Sequence, residues 1–136
     1  MKSLNVYITF NGKCEEALNF YKYALDGEIP VMKKFGDGPT EFTSDVRDKI
    51  MHAEFKANQV VFFASDGMPG QPINNGNNIA LSINFDNKDE QTKAYELLKE
   101  GGQIMMELQE TFWGARFGMV IDKYGIQWMF NHELPV

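Results

Sequence analysis

From Val6 the chain alternates: Val6, Ile8 and Phe10 are apolar, and Tyr7 and Thr9 stand between them. Side chains on a strand point alternately to its two faces, so the apolar three predict a strand with one face turned to a core. After a polar turn the period lengthens. Cys14, Ala17, Leu18, Tyr21 and Leu25 recur at helical spacing and predict an amphipathic helix. Gly27 follows where a helix C-terminus favours a positive φ. Three more strand-like runs come next, Pro30–Phe35, Lys49–Phe55 and Gln59–Ser65, the last two joined by a short turn at Lys56–Asn58.

The same order then repeats. Ile79, Leu81, Ile83 and Phe85 alternate as a strand, Ala94, Tyr95 and Leu98 follow helical spacing, and Gly101–Gly102 close the helix. The runs Gln103–Gln109, Arg116–Ile121 and Ile126–Asn131 complete the second half, with a hairpin turn at Asp122–Gly125. The chain therefore reads as an α+β domain of two βαβββ modules, about residues 1–66 and 78–136, with a linker over about 67–77. Its joining stretch, "SDGMPGQPINNGNN" at Ser65–Asn78, has the Gly, Pro and Asn of a loop, and Gly36–Asp45 is expected to be a second one. On the last strand, Ile126, Trp128 and Phe130 are expected to face the helix, and Gln127, Met129 and Asn131 the other side.

Composition narrows the function classes. With 136 residues, 43% hydrophobic and 24% charged, one ordinary globular domain is expected. A formal net charge of -6 with no Lys/Arg run argues against nucleic acid as a partner. The lone Cys14 permits no intrachain disulfide, and no signal peptide or membrane-length apolar run is visible, so a cytoplasmic protein without a membrane partner is expected. No Gly-rich strand-to-helix turn of the nucleotide-binding type appears.

The segments "CEEALNFYKYALDGEI", "IMHAEF", "TFWGARFG" and "DKYGIQWMFN", together with the duplicated module, resemble the PhnB-like branch of the glyoxalase/bleomycin resistance/dioxygenase (vicinal oxygen chelate) superfamily, also labelled 3-demethylubiquinone-9 3-methyltransferase-like. The resemblance covers nearly the whole chain, and Thr111–Asn131 is its most specific part. It implies two sheets paired into a curved half-barrel with the helices outside. Metal-dependent members place ligands at positions that fall, by the resemblance, near Asn5, Phe62, Asn78 and Met129. None of these is His, Glu, Asp or Cys, so neither a metal nor another cofactor is expected.

The candidate chemistry is correspondingly spare. His52 and Glu54 share a strand face and are candidates for acid/base work; the plainer alternative is a hydrogen-bonded histidine beside a solvated glutamate. His132, near the C-terminus, is expected to be exposed, and Cys14 to be a small buried residue rather than a nucleophile. Tyr7, Thr9, Phe62, Ser82, Asn84, Gln127 and Met129 are expected to line a cup for a small molecule, with Asn131 beside them. Phe112 and Trp113, on a loop, suit either the mouth of that cup or the interface of a homodimer. Three readings stay open: an apolar cup that binds or transforms a small molecule, a protein that only sequesters its ligand, and a metal-dependent lyase or dioxygenase.

Overall fold

The computed structural model describes residues 1–135 and divides into two compact units, Met1–Asn74 and Asn75–Val136. In the first unit β1 (Tyr7–Thr9), α1 (Cys14–Leu25), β2 (Glu28–Lys34), β3 (Ile50–Ala57) and β4 (Val60–Ser65) follow the expected order. The sheet runs β1-β4-β3-β2, with β1 parallel to β4 and the other pairs antiparallel. Helix α1 lays Cys14, Ala17, Leu18, Tyr21 and Ala24 against one face of it. There the Tyr21 ring meets Phe55 and Phe62 edge-on at 6.4 and 6.0 Å, and those two rings stack at 4.8 Å. Each such ring, taken fully out of water, contributes about 1.5–3 kcal/mol, so this cluster fixes α1 on the sheet. Val6, expected in the core, is exposed because regular pairing begins only at Tyr7.

The ends of α1 show how side chains satisfy a helix. Glu15 and Glu16 in its first turn and Lys22 in its last complement the helix dipole. The carboxylate of Asp66, just past β4, accepts from the backbone N–H of Cys14 and of Ile50, both at 2.8 Å, and so ties the start of the helix to the start of β3. At the other end Asp26, not Gly27, takes the left-handed conformation, at φ 51°. Gly27 is required for a different reason: a Cβ there would stand 2.9 Å from the Lys56 carbonyl oxygen and strike the Phe55 ring. The loop expected at Gly36–Asp45 holds a 3-10 turn, Phe35–Asp37, and the first residues of a short helix, α2 (Ser44–Arg47). Neither is long enough to carry a hydrophobic period.

The second unit repeats the plan with β5 (Leu81–Asn84), α3 (Lys88–Leu98), β6 (Gln103–Glu110), β7 (Ala115–Ile121) and β8 (Gln127–Glu133), in the sheet order β5-β8-β7-β6. Asn87 caps α3 by accepting from Glu90 N–H at 2.9 Å. Gln91, Ala94, Tyr95 and Leu98 are buried beneath it, over Trp128 and Phe130. Arg116 pins the helix: one guanidinium nitrogen donates to the Lys88 carbonyl, Gln91 Oε1 and Thr92 Oγ1 at 3.3, 3.1 and 2.8 Å, while Gln91 donates back to the Arg116 carbonyl at 2.8 Å. In the hairpin between β7 and β8, the buried Asp122 accepts from Tyr124 N–H, Ile126 N–H and Trp128 Nε1–H. Ile79 lies before the regular strand and is exposed, against the expectation of a core position. Among the described residues no helix is long and apolar enough to cross a membrane.

Candidate functional site

Alternation gives each sheet one face under its helix and one turned away from it. On β3 the buried Ala53, Phe55 and Ala57 belong to the helix face, which leaves His52 and Glu54 on the other. Register completes that second face. Tyr7 pairs with Phe63 and Phe63 with Glu54, while Lys33 stands opposite His52. The Tyr7 ring lies 5.7 Å from the His52 ring and 6.3 Å from that of Phe63, and His52 and Phe63 are 5.6 Å apart. Tyr7 and His52 are hydrogen-bonded, Oη to Nδ1, at 3.0 Å. Glu54 Oε2 lies 3.9 Å from His52 Nε2, too far for a hydrogen bond but near enough to orient the imidazole. An ionised Glu54 favours the proton on Nε2, which leaves Nδ1 to accept from the phenol. The side chains of His52 and Glu54 are about one-third exposed, at 33% and 36%, so solvent molecules and small solutes reach them.

The second unit presents different chemistry on its corresponding face. Ser82, Met129, Met119 and Met106 form one row across the four strands, and Asn84, Asn131, Phe117 and Gln109 the next. Asn131 Nδ2 donates to Asn84 Oδ1 at 3.0 Å. Gln127 donates to the Ile79 carbonyl at 3.0 Å, so its amide is engaged in holding the approach to β5. A depression of about 420 Å³ lies at the end of this sheet, lined by Asn84, Phe85, Asp86, Asn131, His132 and Glu133. Phe112 and Trp113 form an edge-to-face pair at 5.0 Å on the turn between β6 and β7, and Phe112 is 97% exposed.

The structure corrects one expected site residue and one expected exposure. Phe62 does not join the face that carries Tyr7, Thr9, His52 and Glu54; it is buried beneath α1 against Tyr21 and Phe55, and Phe63 takes the outward position. Two adjacent phenylalanines leave the strand's phase undecided in the sequence, and only the register with β1 and β3 settles it. His132 is half-buried rather than exposed, its Nδ1 bonded to the Phe85 carbonyl at 2.8 Å on the helix side of β8. Cys14 is fully buried, as expected. Desolvation, with the charges of Asp66 and Glu15 behind it, pushes its thiol up to about 12, which removes the thiolate a nucleophile needs.

The positions implied for a superfamily metal do not form a donor set. Asn5 bonds to Ser3, Asn78 is exposed, Phe62 is in the core and Met129 sits in the methionine row. Among the described residues no three His, Cys, Asp or Glu side chains come together to hold a metal ion. These residues do not fit the divalent ion.

Comparison with known proteins agrees with the architecture. The family described as 3-demethylubiquinone-9 3-methyltransferase matches residues 2–130. Protein PA1353 from Pseudomonas aeruginosa is 38% identical, with a TM-score of 0.84 over 98% of this chain and 100% of that one. A putative 3-demethylubiquinone-9 3-methyltransferase, PhnB protein, from Bacillus cereus is 26% identical, with a TM-score of 0.79 over 96% and 99% of the two chains. A glyoxalase/bleomycin resistance protein from Albidiferax ferrireducens T118 shares the fold, with a TM-score of 0.63 at 14% identity over 96% and 98%. The chain belongs to the 3-demethylubiquinone-9 3-methyltransferase family, as the PhnB protein from Bacillus cereus is described, and has the glyoxalase-like fold.

Proposed function

We propose that this protein binds a small, largely apolar molecule on the face of its first sheet turned away from α1, without the metal centre of the superfamily's lyases and dioxygenases. One observation carries the reading: a hydrogen-bonded Tyr7–His52 pair stands beside Glu54 and the Phe63 ring on the face turned away from α1. An apolar ring flanked by a few fixed polar groups is the usual composition of a small-molecule site. The methionine row and the Asn84–Asn131 pair offer the second sheet similar means, thioethers adapting to a ligand's shape and amides orienting it.

The reading extends to assembly and setting. Phe112 and Trp113 favour pairing of two chains, since each Å² of apolar surface left in water costs roughly 25 cal/mol and two-fold association is the commonest way to cover it. A single, buried cysteine suits a reducing cytoplasm.

Thermal-shift screening of a small-molecule library, followed by product analysis by mass spectrometry, tests the proposal. Saturable stabilisation that falls in Phe63→Ala supports it. Product formation assigns an enzyme, and stabilisation without product assigns sequestration. Near-stoichiometric Zn, Ni, Mn or Fe in protein purified without chelator would overturn the metal-free reading.

A further inference from the structure

We infer that Tyr7, His52 and Glu54 form a proton relay whose outward, substrate-facing group is the Tyr7 hydroxyl, acting on molecules with a weakly acidic O–H or C–H. The inference rests on the binding face proposed above and gives it a reaction class. His52 Nδ1 is held by Tyr7 at 3.0 Å, and the Glu54 carboxylate faces Nε2 at 3.9 Å, beyond hydrogen-bond reach but near enough to favour the proton on that nitrogen. With the proton on Nε2, the nitrogen able to accept another is Nδ1, and that one faces the phenol rather than a bound molecule. Tyr7 does have a free lone pair on an oxygen whose residue is 50% exposed. A phenol that donates to an imidazole held by a carboxylate has the connectivity of a nucleophile, base and orienting acid.

The proton balance is simple. As a bound molecule gives its proton to Tyr7 Oη, the Tyr7 proton passes to His52 Nδ1, and the resulting imidazolium is stabilised by Glu54. The bound molecule becomes an anion, and Lys33, opposite His52 on β2, places a cation on the same sheet beside it. The Phe63 ring, in register with both Tyr7 and Glu54, provides an apolar surface for the rest of the molecule. Enolisable carbonyl compounds and phenols have the required acidity and an apolar body. Tyr7 is the catalytic residue of this scheme; His52 and Glu54 are positioning residues that act through it.

The test uses p-nitrophenyl acetate on the free protein, so its outcome does not depend on finding a natural ligand, and the thermal-shift screen can fail separately. In the acylation, Tyr7 Oη bonds to the acetyl carbon, p-nitrophenolate leaves with the electron pair of the broken ester bond, and the Tyr7 proton goes to His52. Peptide mapping by mass spectrometry locates the acetyl group. Tyr23, 68% exposed, is the internal reference. The relay predicts Tyr7 acetylated at least about tenfold faster than Tyr23, a modest share of the roughly 10²–10⁴-fold that a positioned base supplies. His52→Gln, which keeps an acceptor for the phenol but not a base, brings Tyr7 to the Tyr23 rate, and Glu54→Gln slows it severalfold. Equal rates at Tyr7 and Tyr23, acetylation of His52 instead, or a Tyr7 rate unchanged in His52→Gln overturn the relay. If His52→Gln does not fold, the Glu54→Gln rate decides, and no slowing there rejects the scheme.

Discussion

The hydrogen bond from Tyr7 to His52 crosses β4: its partners stand on β1 and β3, the two strands that flank it, and Phe63 on β4 lies between them in register. A polar pair thereby brackets an aromatic ring on a face that α1 does not cover. Because both partners are partly solvated, the bond adds little to folding, and its removal reports on function. Tyr7→Phe is expected to lower stability by no more than about 1 kcal/mol in urea denaturation, the low end for a hydrogen bond water can replace.

Phe62 and Phe63 are neighbours in sequence with opposite surroundings, and substitution separates them. Phe62→Ala leaves a cavity between Tyr21 and Phe55 and costs about 3–5 kcal/mol, a large part of the roughly 5–15 kcal/mol of a small domain. Phe63→Ala is expected to cost well under half of that and to weaken ligand binding instead. Chemical denaturation beside a binding titration reads both.

Much of this was legible in the sequence. The alternation of Ile8 and Phe10 and the helical spacing of Cys14, Ala17, Leu18 and Tyr21 gave β1 and α1 because each element buries one continuous face. The shared face of His52 and Glu54 followed from the same alternation. What the sequence did not disclose depends on register and long-range approach. The outward position of Phe63, the reach of Tyr7 to a histidine 45 residues away and the Asp66 link from α1 to β3 exist only once strands are paired. Gly27 was legible as a glycine position, but its cause is the nearness of β3 rather than a positive φ.

Cys14 gives a pH dependence with a definite sign. Burial raises its thiol from 9.0 to about 12, so between those values the unfolded chain loses a proton that the folded chain keeps. Unfolding therefore becomes more favourable as pH rises through this window, by at most about 1.4 kcal/mol per pH unit from this group. Stability curves for wild type and Cys14→Ala are expected to run parallel below pH 9.0, offset by the packing lost with Sγ, and to cease to be parallel above it, the wild type declining more steeply. Parallel curves through the window would contradict this.

Arg116 connects α3 to β7 through three acceptors on one turn of helix. Arg116→Ala is expected to cost about 2 kcal/mol, within the range for hydrogen bonds to a charged donor, and to speed hydrogen exchange at the start of α3 more than in α1.

Light scattering at micromolar concentration is expected to show twice the 15.5 kDa chain mass, and Phe112→Ser with Trp113→Ser to return the monomer. A wild-type monomer at every concentration would assign the aromatic pair to ligand contact instead.

The central claim, that a small molecule binds on the face of the first sheet turned away from α1, is tested most directly by mapping amide chemical-shift changes while a fragment library is titrated into the isotope-labelled protein. The account predicts saturable shifts concentrated at Tyr7–Thr9, His52–Glu54 and Phe63, and lost in Phe63→Ala. Shifts confined to the depression around Asn84 and His132, or no saturable shift at Tyr7 and His52 with any fragment, would contradict it.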